Sequence, residues 1–147
     1  MKRILLCIMA LLLIAGTAWA QKGLNCYPVF RGKLVPAKRM VVTEVRGESM
    51  ATYKLDYYHS VQFQVDEATA MKVAELILAD ADAAESAETE KTGELLTYAL
   101  IQPMPYARVR RYLCYQARRA GPAWIITILY LEGSATLEDL RSMFEKQ

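Results

Sequence analysis

The 147-residue sequence predicts an α+β domain: two layers, with a mainly antiparallel sheet and helices packed on one face. Three observations carry that reading. Tyr58–Val65 (YHSVQFQV) alternates cleanly, sending His59, Val61, Phe63 and Val65 one way and Tyr58, Ser60, Gln62 and Gln64 the other, as in a strand with one wet face. Asp66–Glu85 then changes period from two to 3.6, with Ala70, Val73, Ile77, Ala81 and Ala84 in one stripe. Trp124–Gly133 is apolar on both faces apart from Thr127, which suits the middle of a sheet. The element order they anchor is β-β-α-β-β-β-α.

Before that domain comes MKRILLCIMALLLIAGTAWA. Lys2 and Arg3 form a basic n-region, Ile4–Ala15 an apolar run, and Ala18-Trp19-Ala20 a small-x-small cleavage signal that leaves Gln21 first. The run is shorter than the ~20 apolar residues of a membrane span. Residues 1–20 are therefore expected to be a signal peptide, and the protein to be exported, periplasmic or secreted, with no stable membrane span after cleavage. Losing Lys2 and Arg3 brings the 18 basic residues level with the 16 acidic ones. A chain of zero net charge has no long-range field for a polyanion, which argues against nucleic acid.

Residues 21–38 read as an irregular leader, with room for a short strand at Tyr27–Arg31, and residues 39–147 as one domain. Arg39–Gly47 is β-branched and reads as the first strand, its Val41, Thr43 and Val45 on one side. Glu48–Tyr57 reads as a turn or short helical connection, and Tyr58–Val65 as the second strand. Asp66 is placed to cap the helix that follows. Ser86–Gly93 reads as a polar loop. Glu94–Ile101 is a strand stopped by Pro103 and Pro105, Arg108–Arg119 the next, and Ala120–Ala123 a turn into Trp124–Gly133. The closing helix has capping-box spacing at Thr136 and Asp139 and a stripe of Leu137, Leu140 and Phe144, supported by Met143.

The residues that suggest chemistry have plainer readings beside them. Cys26 and Cys114 survive cleavage and permit one bridge, worth about 4–5 kcal/mol for a loop of roughly 88 residues; the alternative is two free thiols, one buried as a small hydrophobe. Arginines around Cys114 suggest a lowered thiol pKa, yet nothing brings the lone histidine, His59, to it as a base. His59 and Ser60 are strand neighbours and point apart. Asp80–Glu90 lacks the calcium-loop pattern and reads as a solvated helix end. Tyr53, Tyr57 and Tyr58 are open to a binding-platform reading or to ordinary packing. No residue set is assigned to catalysis, a cofactor or a metal.

The ending AWAQ, the stretch VVTEVRGESMATYKLDYYHSVQF and the closing ITILYLEGSATLEDLRSMF together resemble a family of small exported Bacteroidetes proteins of unassigned role. The resemblance implies export in a Gram-negative bacterium and supplies no active-site residues. The expected function is a non-enzymatic domain that binds a protein or peptide, either an envelope protein or itself. Its candidate surfaces are Tyr58, Gln62 and Gln64 together with Arg110 and Tyr112. The alternative is a small periplasmic hydrolase or glycan-binding module.

Overall fold

A computed structural model describes residues 23–105 and 109–145, with side chains as far as 142. The expected signal peptide, Arg108 and the side chains of Met143 and Phe144 lie outside the described residues. After a one-turn helix, α1 (Tyr27–Phe30), come β1 (Val41–Arg46), β2 (Leu55–Val65), α2 (Glu67–Asp82), β3 (Ser86–Thr92), β4 (Leu95–Gln102), β5 (Arg110–Ala120), β6 (Ala123–Gly133) and α3 (Leu137–Glu145). The six strands form one sheet in the order β1-β2-β6-β5-β4-β3, and every described pair is antiparallel.

The helix α2 makes this order possible. Asp66 caps it, accepting from Thr69 N–H at 2.8 Å. The small side of α2, with Ala70, Val73, Ala74 and Ile77 buried, lets it lie close across the sheet from β2 to the far edge. The chain returns as a β3-β4-β5-β6 meander that brings β6 in beside β2. Val61, Phe63, Leu113, Tyr115, Ile126 and Ile128 pack beneath α2. This side of the sheet is the α2 face.

Four expectations are corrected. Ser86–Thr92 is a strand, not a loop: every residue in it is exposed, so no apolar alternation marked it, and its ladder to β4 holds it as an edge. Thr92 pairs with Leu95 across a two-residue turn in which Gly93 adopts φ 66°, open to glycine at no steric cost. Leu55 and Tyr57 belong to β2 rather than to the connection before it, which is a 3-10 helix, Glu48–Tyr53. The leader is helical at Tyr27–Phe30, with Pro28 in its first turn, and it is part of the core: Leu24, Cys26, Val29 and Val35 are buried with α2 and the sheet. A buried carboxylate, Asp80 of α2, accepts from Asn25 N–H at 2.5 Å and Cys26 N–H at 3.0 Å.

The fourth correction concerns the layers. Helix α3 lies on the opposite side from α2, where Leu140 is buried with Leu55, Tyr112, Leu131 and Ala135. A register shift between Leu55 and Tyr57 turns Leu55 to that side while Tyr57 stays on the α2 face. Gly133 allows the crossing: a Cβ there would stand 2.5 Å from the Lys54 carbonyl oxygen. Ala135 N–H then donates to that oxygen at 2.9 Å, and the Tyr112 hydroxyl to Ala135 O at 2.6 Å. Thr136 and Asp139 close the capping box on each other's N–H at 3.1 and 2.9 Å.

Candidate functional site

Because α3 covers one end of its face, the other end stays partly open. Strand alternation fixes which residues reach it. The β5–β6 register sets Gln116 opposite Thr127 and Cys114 opposite Leu129, while β4 adds Tyr98 beside Gln116. With Tyr58 these side chains line a groove of about 420 Å³. Leu129 gives it an apolar floor, and Gln116, Thr127 and the two tyrosines supply hydrogen-bonding groups. Gln62 pairs with Thr127 and Gln64 with Ile125, so both exposed glutamines extend the same face toward β1.

The structure therefore gathers Tyr58, Gln62 and Gln64 as a surface and separates them from the other two expected residues. Tyr112 shares their side of the sheet but is fully buried beneath α3. Arg110 is exposed at the far end, donating to Ser134 O at 3.3 Å. Tyr98, Thr127 and Leu129 were missed as surface residues. Counting back from the turn at Gly121-Pro122 would have found the two on β6, because that turn alone sets the β5–β6 register.

The reactive residues do not converge. Both cysteines are free. Cys26 packs on the α2 face and Cys114 lies in the groove, so the sheet stands between them and the permitted bridge is not formed. Burial pushes the Cys114 thiol up to about 12. Burial, followed by the Asp80 charge, raises that of Cys26 well above its ordinary value. Both are protonated and poorly nucleophilic near neutral pH. His59 lies on the α2 face, its ring 5.0 Å from that of Phe30 and 6.1 Å from that of Tyr57. Burial lowers its pKa against the opposing pull of Glu44, which keeps it neutral.

Around His59 is a polar cluster that the sequence did not suggest. The Tyr57 hydroxyl donates to Glu44 at 2.9 Å, and Arg46 sits 4.1 Å over the Tyr57 ring and 3.7 Å from Glu44. The Tyr130 hydroxyl donates to Glu132 at 2.6 Å, and buried Arg111 donates to Met104 O at 2.9 Å. These contacts tie β1, β2, β5 and β6 together at this end of the sheet. The tyrosine platform is likewise divided: Tyr57 is buried on the α2 face, Tyr58 faces the groove and Tyr53 lies exposed in the 3-10 helix. The acidic run is dispersed too, with Asp80 holding the Asn25 and Cys26 N–H groups just ahead of α1 and Glu88 bonded to Arg141.

A wider concavity of about 620 Å³ opens at the other side, between the first turn of α2 and the hairpin ends, lined by Glu67, Met71, Glu94, Arg118, Arg119 and Trp124. Its charges are mixed. Among the described residues, no group of three or more His, Cys, Asp or Glu side chains is arranged to hold a metal, and no helix is long and apolar enough to cross a membrane.

No curated protein and no solved structure matches the chain. A family model matches residues 13–144, nearly the whole sequence. The chain belongs to the family of unknown function DUF6108.

Proposed function

We propose that this protein is an exported, non-enzymatic domain that binds a segment of a cell-envelope protein on the open part of its α3 face. The observation that carries the proposal is the groove among Tyr58, Tyr98, Gln116, Thr127 and Leu129, an apolar floor with a hydrogen-bonding rim. The signal-like first twenty residues and the Bacteroidetes-type resemblance support the envelope location. The non-enzymatic reading is supported by the sheet that separates His59 from Cys114 and by the burial that keeps both thiols protonated. A hydrolase would need those groups on one side.

A photo-reactive residue at Gln116, expressed in a Gram-negative envelope, tests the proposal against the same residue at Lys72 on exposed α2. Distinct capture of a protein from Gln116 is expected. Identical adduct patterns from the two positions would overturn it. A second reading, glycan binding, is favoured by the two tyrosines flanking the groove, since aromatic faces and amide groups suit sugar rings. Protection of Tyr98 and Tyr58 from iodination by a glycan, rather than by a peptide, would select it.

A further inference from the structure

The two edges of the sheet are built differently. Edge strand β3 carries Glu88, Glu90 and Lys91, has a register shift between Glu90 and Lys91, and is tied to α3 through Glu88 and Arg141. Charges and irregularities of this kind blunt an edge against further pairing. Edge strand β1 has an unbroken register from Val41 to Arg46 and reads Val-Val-Thr-Glu-Val-Arg, with Val41 66% and Val42 50% exposed. An exposed, β-branched edge of regular register is a template for another strand.

We propose that β1 pairs with β1 of a second copy of this chain, antiparallel and centred on Thr43, to make a continuous twelve-stranded sheet. The main-chain geometry allows that register. Gly47 N–H donates to Asp56 O at 3.1 Å, so Gly47 addresses β2. Backbone groups alternate in direction along a strand. Val45, Thr43 and Val41 therefore also address β2, and the N–H and C=O of Val42, Glu44 and Arg46 point outward. Centring on Thr43 sets Val42 against Glu44 of the second copy, so outward groups meet outward groups on both sides of the axis.

The side chains fit the same register. On the α3 face Val41 meets Val45 of the second copy, Thr43 meets its own equivalent, and Val45 meets Val41, three favourable β-branched pairs. On the α2 face the Glu44 carboxylates sit on a diagonal. Each is already engaged by its own Arg46 and by the Tyr57 hydroxyl. Centring on Glu44 would instead set two glutamates directly opposite. The proposal concerns the edge and does not depend on the groove.

Thr43 and its equivalent would form a non-hydrogen-bonded pair with Cα atoms about 4.5 Å apart, within disulfide range. Sedimentation of the full chain, with cysteine cross-linking, tests the register. Concentration-dependent dimers are expected, with Thr43→Cys cross-linking readily on mild oxidation and Val42→Cys far less. Val42→Pro removes an outward N–H that β2 does not use, so with a native circular dichroism spectrum it should weaken dimerisation about tenfold or more. A monomer at all concentrations would overturn the proposal, as would equal cross-linking at 42 and 43 or a natively folded Val42→Pro protein that dimerises normally.

Discussion

Replacing Asp80 with alanine tests whether the leader belongs to the fold's stability or merely lies on it. Asp80 is buried, and its carboxylate accepts from two main-chain N–H groups and from the Asn25 side chain at 3.2 Å. Hydrogen bonds to a charged acceptor are worth about 1.5–3 kcal/mol each, and a buried donor left unpaired costs about 1–3 kcal/mol. Asn25 is exposed and can turn its donors to water, so its share is small. Cys26 is fully buried and its N–H cannot. Regained solvation of the lost carboxylate offsets part of the cost, and the balance is a loss of about 2–4 kcal/mol. At this length that lowers the melting temperature by roughly 10 °C. Asp80→Asn keeps one acceptor oxygen but turns an NH₂ toward a donor, so it should recover less than half.

The same change makes a local prediction. With α1 no longer held, the leader should open without the rest of the sheet unfolding. Native-state alkylation of Cys26 should then quicken by about 10- to 1000-fold, since each 1.4 kcal/mol is tenfold. Alkylation of Cys114, on the other side of the sheet, should hardly change. A stability loss below about 0.5 kcal/mol, or equal acceleration at both cysteines, would refute the reasoning.

Three further outcomes are expected. Gly133→Ala drives a methyl group into the Lys54 carbonyl and the Leu55 backbone, and should cost about 3 kcal/mol or more by urea unfolding. Leu140→Ala should cost about 2–5 kcal/mol and expose Tyr112 to near-ultraviolet perturbation, because Leu140 is fully buried against it. His59 is held below its ordinary pKa, so the unfolded chain takes up its proton first. Stability from this residue is therefore present above about pH 6.5 and falls as pH drops from there toward the folded-state value. The groups flanking it are Glu44, Arg46, Tyr57 and Phe30. His59→Phe should flatten the profile of unfolding free energy between pH 7 and 5.

How much of this was legible in the sequence differs from element to element. Helix α2 was, because Asp66 and the alanine-rich stripe act within one segment. The strands from β4 to β6 were also, because Gly121-Pro122 and the paired prolines punctuate them. Strand β3 was not, because an edge is held by main-chain bonds that leave no mark on side-chain pattern. The stripe of α3 predicted burial but not the side on which it would be buried. That choice depends on Gly133 approaching Lys54 and on the shift at Leu55, contacts between residues far apart in the chain. Tyr112 was misplaced for the same reason: its strand parity was right, and what covers it comes from elsewhere. The leader hid its role because one carboxylate, Asp80, organises it from a distance.

The two proposals together make a demand that neither makes alone. A two-fold axis normal to the sheet through Thr43 keeps both α3 faces on the same side. The groove is centred near β5 and β6, roughly two and a half strand spacings from β1. At about 4.8 Å per strand the two grooves are then about 30 Å apart and open in the same direction. A partner displayed densely on a surface should engage both, and linkage of two modest sites raises apparent affinity about 10²-fold or more. Val42→Pro should lose that gain on a dense surface and leave binding to a single soluble segment unchanged, whereas Gln116→Ala should weaken both. If Val42→Pro weakened the soluble, monovalent interaction as much as the dense one, edge and groove would be one site, and the separation between them drawn from the strand register would be wrong.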